Sequence, residues 1–125
     1  MSMGQIDGLT GKATQSRQIT TIDGYTFTFN LQYHQQQSCW LWSLTYQSVV
    51  IPPQLLSINQ EITINSSNLL PFGIWCATSS PSDTLDPYFI DDLVSGRVVL
   101  YTGNRQDMTD LQKALLSELD KILTK

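Results

Sequence analysis

One histidine, two cysteines, three tryptophans and a cluster of aspartates are the side chains of this 125-residue chain with which chemistry could be done. His34 sits in the polar run His34-Gln35-Gln36-Gln37-Ser38, with no cysteine or carboxylate beside it. A triad or a metal site would need distant residues to converge on it. The simpler expectation is a solvated turn residue. Cys39 and Cys76 each lie inside an apolar stretch without a basic neighbour to lower their pKa, which argues against a nucleophile and for buried free thiols. A disulfide between them is the alternative, and it would need an oxidising compartment. Asp83, Asp86, Asp91 and Asp92 supply the oxygen ligands that calcium prefers, but at a spacing that matches no calcium loop. The structural expectation is that Asp86 caps a turn before Pro87, and that Asp91 or Asp92 meets Arg97 across the turn at Ser95-Gly96. Trp40, Trp42 and Trp75 could stack sugars or bases, yet alternation places Trp40 and Trp42 on the face expected to be core. No nucleophile elbow, P-loop, dinucleotide fingerprint or His-Glu-x-x-His motif is present, and nothing calls for a cofactor or a metal.

The elements that must position these residues are mostly strands. Tyr25, Phe27, Phe29, Leu31 and Tyr33 alternate with Thr26, Thr28, Asn30 and Gln32, which predicts a strand with one buried and one wet face. Asp23-Gly24 before it signals a tight hairpin with the run Arg17–Ile22. Alternation resumes with Trp40, Trp42, Leu44 and Tyr46, expected to pair with the preceding strand. Val49–Ile51 should stop at Pro52-Pro53, which cannot donate ladder hydrogen bonds. Leu55–Ile58, Glu61–Ile64, two pieces of Leu69–Thr78 divided by Pro71 and Gly73, and Arg97–Thr102 are further short strands. Ser79–Pro87 reads as a loop with turn chemistry at Ser79-Ser80-Pro81-Ser82-Asp83. After Gly103-Asn104 the period changes: Met108, Leu111, Leu115, Leu119 and Ile122 recur at helical spacing, with Leu116 and Leu123 widening the stripe. Thr109 with Gln112 forms one capping box for this helix, and Asp107 is an equally good N-cap. The helix either closes an end of the β-domain or presents its stripe (Leu111, Leu115, Leu119, Ile122) to another subunit. The organisation is thus an arm over 1–15 without periodicity, expected to be flexible, a β-domain over 16–104, and a helix over 105–125. The fold class is mainly β: a small antiparallel OB-like barrel with a C-terminal amphipathic helix.

Composition narrows the partners. Charged residues make up 14% and net charge is −4, with Lys12, Arg17 and Arg97 the only cations before residue 105. Three dispersed cations cannot track a phosphate backbone, so no nucleic-acid partner is expected. No apolar run is long enough to span a membrane, and the first fifteen residues have no apolar core like that of a secretory signal. A surface this weakly charged suits a life in contact with neighbours.

Several pieces, in order, carry a resemblance: Asp23-Gly24-Tyr25-Thr26-Phe27-Thr28-Phe29, then Trp40–Leu44, then Leu69-Leu70-Pro71-Phe72-Gly73-Ile74, and above all the run from Asp86 to Tyr101, DPYFIDDLVSGRVVLY. Over about residues 17–104 the chain resembles the small baseplate plug proteins of contractile phage tails. That resemblance implies an OB-like barrel, no catalytic residues, and a place in the virion near the central hub. The molecule would be made in the host cytoplasm. Its partners would be other tail proteins (the hub, tube end, sheath initiator or wedge), contacted by multiple symmetric copies. It further implies that Asp86-Pro87, Asp91-Asp92 and Gly96-Arg97 build a closing corner of the fold. The long C-terminal helix and the first fifteen residues lie outside the resemblance. The alternative expectation is a free OB-like module binding an oligosaccharide or single-stranded nucleic acid.

Overall fold

The computed structural model describes residues 4–6, 9–66, 68–80, 83 and 85–123, except the side chains of 118–123. Its centre is the predicted aromatic hairpin. Strands β3 (Thr26–His34) and β4 (Cys39–Tyr46) pair antiparallel, with Phe29 opposite Leu44 and Leu31 opposite Trp42. Phe27, Phe29, Leu31, Trp40, Trp42 and Leu44 all lie buried on one face, as a two-residue period requires. β2 (Thr14–Thr20) flanks β3 through the Asp23-Gly24 turn, where Gly24 takes a φ of 95° that only glycine adopts without strain. β5 (Val49–Leu55) completes a four-stranded sheet ordered β2-β3-β4-β5.

The expectation that Pro52-Pro53 ends this strand is corrected. β5 continues through both prolines because it is an edge strand, where a missing N–H can face away from the ladder. The pairing skips between Trp42↔Gln54 and Leu44↔Ile51, so both prolines face Ser43 in a bulge.

A second antiparallel sheet has the order β1-β8-β7-β6. It contains β1 (Gly4–Gln5), β8 (Val98–Asn104), β7 (Phe72–Thr78) and β6 (Gln60–Glu61). The two sheets share one core, in which Phe27 of one stacks on Phe72 of the other with ring centroids 4.5 Å apart. The molecule is therefore mainly β with one C-terminal helix. It differs from the expected OB-like barrel in one respect: the ladders form two separate sheets, and no pairing among the described residues joins them into one closed barrel. Chain crossings stand at the seams instead. The crossing from β5 to β6 is tied to both sheets, since the Leu56 N–H donates to the Trp40 carbonyl and the Asn59 N–H to that of Cys76. At the other seam, Gly4 lies against Ile22.

Three further expectations change. The first fifteen residues are not an arm as a whole: Gly4-Gln5 pairs with β8, and Ile6 is buried with its N–H on the Leu100 carbonyl. Residues 1–3, 7 and 8 of that segment lie outside the described residues, as do Pro81 and Ser82 of the predicted turn. Glu61–Ile64 contributes only the end of β6, and then turns into a short 3-10 helix. Of Leu69–Thr78 only Phe72–Thr78 is strand, the single β7, with Gly73 inside it, and Leu69–Pro71 belong to the turn before it.

The helix α1 (Arg105–Leu123) follows β8 directly. Its cap is neither of the predicted ones. Asn104 Oδ1 accepts the Asp107 N–H at 2.7 Å, and Asp107 Oδ2 accepts the Asn104 N–H at 3.1 Å. This reciprocal box makes Asn104 the N-cap. Thr109 is already one turn inside, its hydroxyl donating back to the Arg105 carbonyl.

Candidate functional site

Two constellations qualify as sites: the acidic corner singled out by its composition, and the seat of the helix. The corner is organised by Arg97. Its Nε and Nη2 grip the Asp92 carboxylate at 2.9 and 2.8 Å, the fork-to-fork geometry that favours arginine over lysine. Nη1 donates to both Asp83 oxygens at 3.1 and 3.0 Å and to the Leu85 carbonyl, while Nη2 also reaches the Asp86 carbonyl. The guanidinium lies over the Tyr88 ring, 5.1 Å from its centroid. Asp92 in turn accepts the Tyr88 and Phe89 N–H groups at 2.7 and 2.8 Å.

Each other corner residue has its own place. Asp86 does not cap its own turn but accepts the Ile58 N–H at 3.0 Å, tying the corner to the β5–β6 crossing. Pro87 is buried and Asp91 exposed, so Asp92 is the partner of Arg97. Gly96 closes the turn with a φ of 83°. Two aromatic residues of the core sheet fasten the corner from below, since the Trp40 indole N–H donates to the Phe89 carbonyl and the Tyr33 hydroxyl to that of Tyr88.

The electrostatics follow from this packing. Burial pushes the Asp92 carboxyl up, but the hydrogen bonds from Arg97 and from the Phe89 and Tyr88 amides outweigh it, and the group sits below its usual range. The hydrogen bond from Arg97 likewise holds Asp83 low. Arg97 itself is raised, chiefly by its hydrogen bonds to Asp92, against the opposing effect of burial. A guanidinium that donates to two carboxylates and two carbonyls has little capacity left for a substrate. This geometry makes the corner a brace.

The helix seat was only half visible in the residues. Gly73 and Gly103 are cross-strand partners on β7 and β8, and the first turn of α1 lies directly on them. A Cβ at Gly73 would collide with Arg105 Nη2, Met108 Cγ and Glu61 Oε2, and one at Gly103 would come 2.9 Å from Asp107 Cβ. Met108 is buried there, and Arg105 donates through Nη2 to the buried Glu61 carboxylate and to the Phe72 carbonyl. Thr63 completes the group, donating to Glu61 at 2.7 Å and accepting the Ile74 N–H at 3.1 Å. The signal available in the sequence was an isolated glycine inside each of two strands, which marks a close backbone approach.

Beyond this turn the apolar side of the helix is covered only in part. Leu111 and Leu115 are only half-buried, and Leu116 is 55% exposed. Leu119 and Ile122 lie on the same helix, with side chains outside the described residues. An open groove of about 390 Å³ runs beside the helix, lined by Ile64, Asn68, Met108, Gln112 and Lys113.

The remaining chemical candidates are placed as follows. Trp40, Trp42 and Trp75 are all buried, so none offers a face for stacking. Cys39 and Cys76 are free thiols, and burial pushes that of Cys76 up to about 12, far from nucleophilic use. His34 is not the solvated turn residue expected. It ends β3, half-buried, with Nε2 shielded from solvent and without a hydrogen-bond partner. Among the described residues, no three of histidine, cysteine, aspartate and glutamate converge as metal ligands, and no helix is long and apolar enough to cross a membrane.

No model of a known protein family matches the chain. Nor does any curated protein sequence.

Proposed function

We propose that this protein is a structural subunit of a phage tail baseplate, acting through protein–protein contacts and not through catalysis. The observation that carries the reading is the helix: its first turn is seated on its own domain, and beyond it Leu111, Leu115 and Leu116 are partly or largely uncovered. An amphipathic helix gains stability mainly by burying its apolar face, so a stripe left only partly covered favours a partner. The Arg97 corner supports the same reading, because its polar groups are spent on holding loops together. The resemblance of residues 17–104 to baseplate plug proteins supplies the setting: symmetric copies near the hub, bound to neighbouring tail proteins in the virion. In such an assembly, affinity comes from buried area repeated by symmetry.

The rival reading, a free module for oligosaccharide or single-stranded nucleic acid, loses its main support with the burial of the three tryptophans. Net charge of −4 weighs further against a nucleic-acid ligand.

The double substitution Leu115→Asp with Leu119→Asp tests the proposal. The expected result is loss of incorporation into tail particles, with the circular dichroism of the β-domain unchanged. Normal incorporation of the double variant would rule out the helix as the docking element.

A further inference from the structure

The sheet β2-β3-β4-β5 has a second face, turned away from the shared core. Its four strands contain one charged residue, Arg17. Arg17 lies opposite Phe29 in the ladder, and Phe29 is buried, so Arg17 stands on the core side of the sheet. The outer face of the ladder therefore carries none of the chain's 7 basic and 11 acidic residues. Lys12 and Asp23 belong to the segments beyond its two ends. The helix is seated on the other sheet, and Ser16, Gln18, Val50 and Leu55 of this face are exposed. Depletion of charge, more than any gain in apolar area, is the compositional mark of the centre of a protein interface.

The face has two halves. From Thr14 to Thr20 and from Thr26 to Gln32, every outward position of β2 and β3 is Ser, Thr, Asn or Gln. On β4 and β5 the outward positions include Leu41, Val50 and Leu55, with Pro53 in the bulge. These apolar groups lie at opposite ends of the ladder. Val50, 70% exposed, is opposite Thr45 at one end, and Leu55, 56% exposed, is opposite Leu41 at the other. Between them runs the central row Ser16-Asn30-Ser43. An open depression of about 440 Å³ lies beside that row on the Leu41 side, with Leu41 and Pro53 in its wall.

We infer that this face pairs with the same face of a second copy of the chain. Two observations select that occupant. The first is neutrality. Hydroxyl and amide side chains each carry a donor and an acceptor, so they pair with their own kind, whereas a charged face needs an opposite one. The second is the placement of the apolar groups. A two-fold axis along the central row reverses the ends of the ladder and lays β5 antiparallel over its copy. Val50 of each copy then meets Leu41 and Leu55 of the other, at the rim of the depression. Such reciprocity, residue i on j and j on i, is what an isologous interface requires. An axis along the strands would instead set the apolar half of one copy on the polar half of the other. Strands about 4.8 Å apart and about 25 Å long give roughly 500 Å² a side, so the pair buries about 1,000 Å², the lower end for a specific interface. The expected product is a weak dimer.

Sedimentation velocity of the intact chain at neutral pH, from about 5 to 500 μM, should show a monomer–dimer equilibrium with a dissociation constant of about 50 μM. Val50→Asp and Leu55→Lys each set a charge against an apolar group of the other copy, and each should weaken the dimer about tenfold or more. The double variant puts opposite charges into both reciprocal contacts and should recover the wild-type constant to within about threefold. Both positions are exposed on an outer strand, so near-ultraviolet circular dichroism should stay native in all three variants. Asn30→Lys, on the axis, meets its own copy and should also weaken the dimer about tenfold or more. Should that variant misfold, Ser16→Lys on the same row replaces it. A chain that stays monomeric at the highest concentration overturns the proposal and leaves the face to a different partner. So does a double variant that associates no better than the single ones, or a dimer that a lysine on the central row leaves unchanged. The inference goes beyond the proposed assembly role and does not rest on it. Failure here with the helix variant still excluded from particles would remove the dimer alone.

Discussion

Asp92 holds together stretches of chain that have no regular structure of their own. Its carboxylate ties Arg97, just before the last strand, to the Tyr88 and Phe89 amides, and Arg97 extends the brace to Asp83, Leu85 and Asp86. Replacing Asp92 by Asn would leave a half-buried guanidinium without its main partner, so the expected loss is about 3 kcal/mol at pH 7 by urea unfolding. The pH dependence has a definite sign. Asp92 and Asp83 are both held below their ordinary range, so their contribution is present above about pH 4, where an unfolded carboxylate titrates, and is lost as pH falls through the folded value. The gap between wild type and Asp92→Asn should therefore close on acidification. A gap that persists unchanged at pH 2.5 would show that the carboxylate's charge is not what stabilises the corner. At this scale the sequence was partly legible. Arg97 stands alone among acids, so its pairing with one of Asp91 and Asp92 could be read from spacing. The reach to Asp83 and the backbone carbonyls could not, because the loop path that brings them in has no periodicity.

Elements were legible where one face is wet and the other dry. The alternation in β3 and β4 marks both strands within a residue or so, because burial on one face enforces a period of two. It failed at edges and crossings. Pro52 and Pro53 look like a stop until β5 is known to be an outer strand, and edge position is a property of the tertiary structure. The helix cap failed for a different reason: Thr109–Gln112 is a good local box, but the strand before it runs straight into the helix and Asn104 takes the capping place first. The paired glycines under α1 give the clearest test at this scale. Gly73→Ala would force apart Arg105, Met108 and Glu61, and because Met108 and buried Glu61 have little room to move, a loss of about 1–3 kcal/mol is expected. The helix should loosen before the sheets do, so faster amide exchange confined to residues 105–112 is the measurement that checks it. Uniformly faster exchange across β3 and β4 would mean that the helix seat and the core unfold as one unit.

The whole molecule combines a tightly filled core with a surface that has few charges to keep copies apart. Charged residues are 14% of the chain and its pI is about 4.6. Repulsion between copies fades as pH approaches that value. The acid-sensitive groups of the Arg97 corner do not titrate until lower pH, since Asp83 and Asp92 are both depressed. Two acid transitions should therefore separate. Near pH 4.6 the folded protein should lose solubility while its near-ultraviolet circular dichroism, set by the buried tryptophans and phenylalanines, stays native. Only at lower pH should that signal collapse. Light scattering and circular dichroism recorded on one acid titration distinguish the outcomes. If scattering rises only together with loss of the aromatic signal, association comes from unfolded chain, and the low surface charge is not what drives copies together. If scattering rises first, the folded surface itself is the cohesive one, as the proposed assembly role requires.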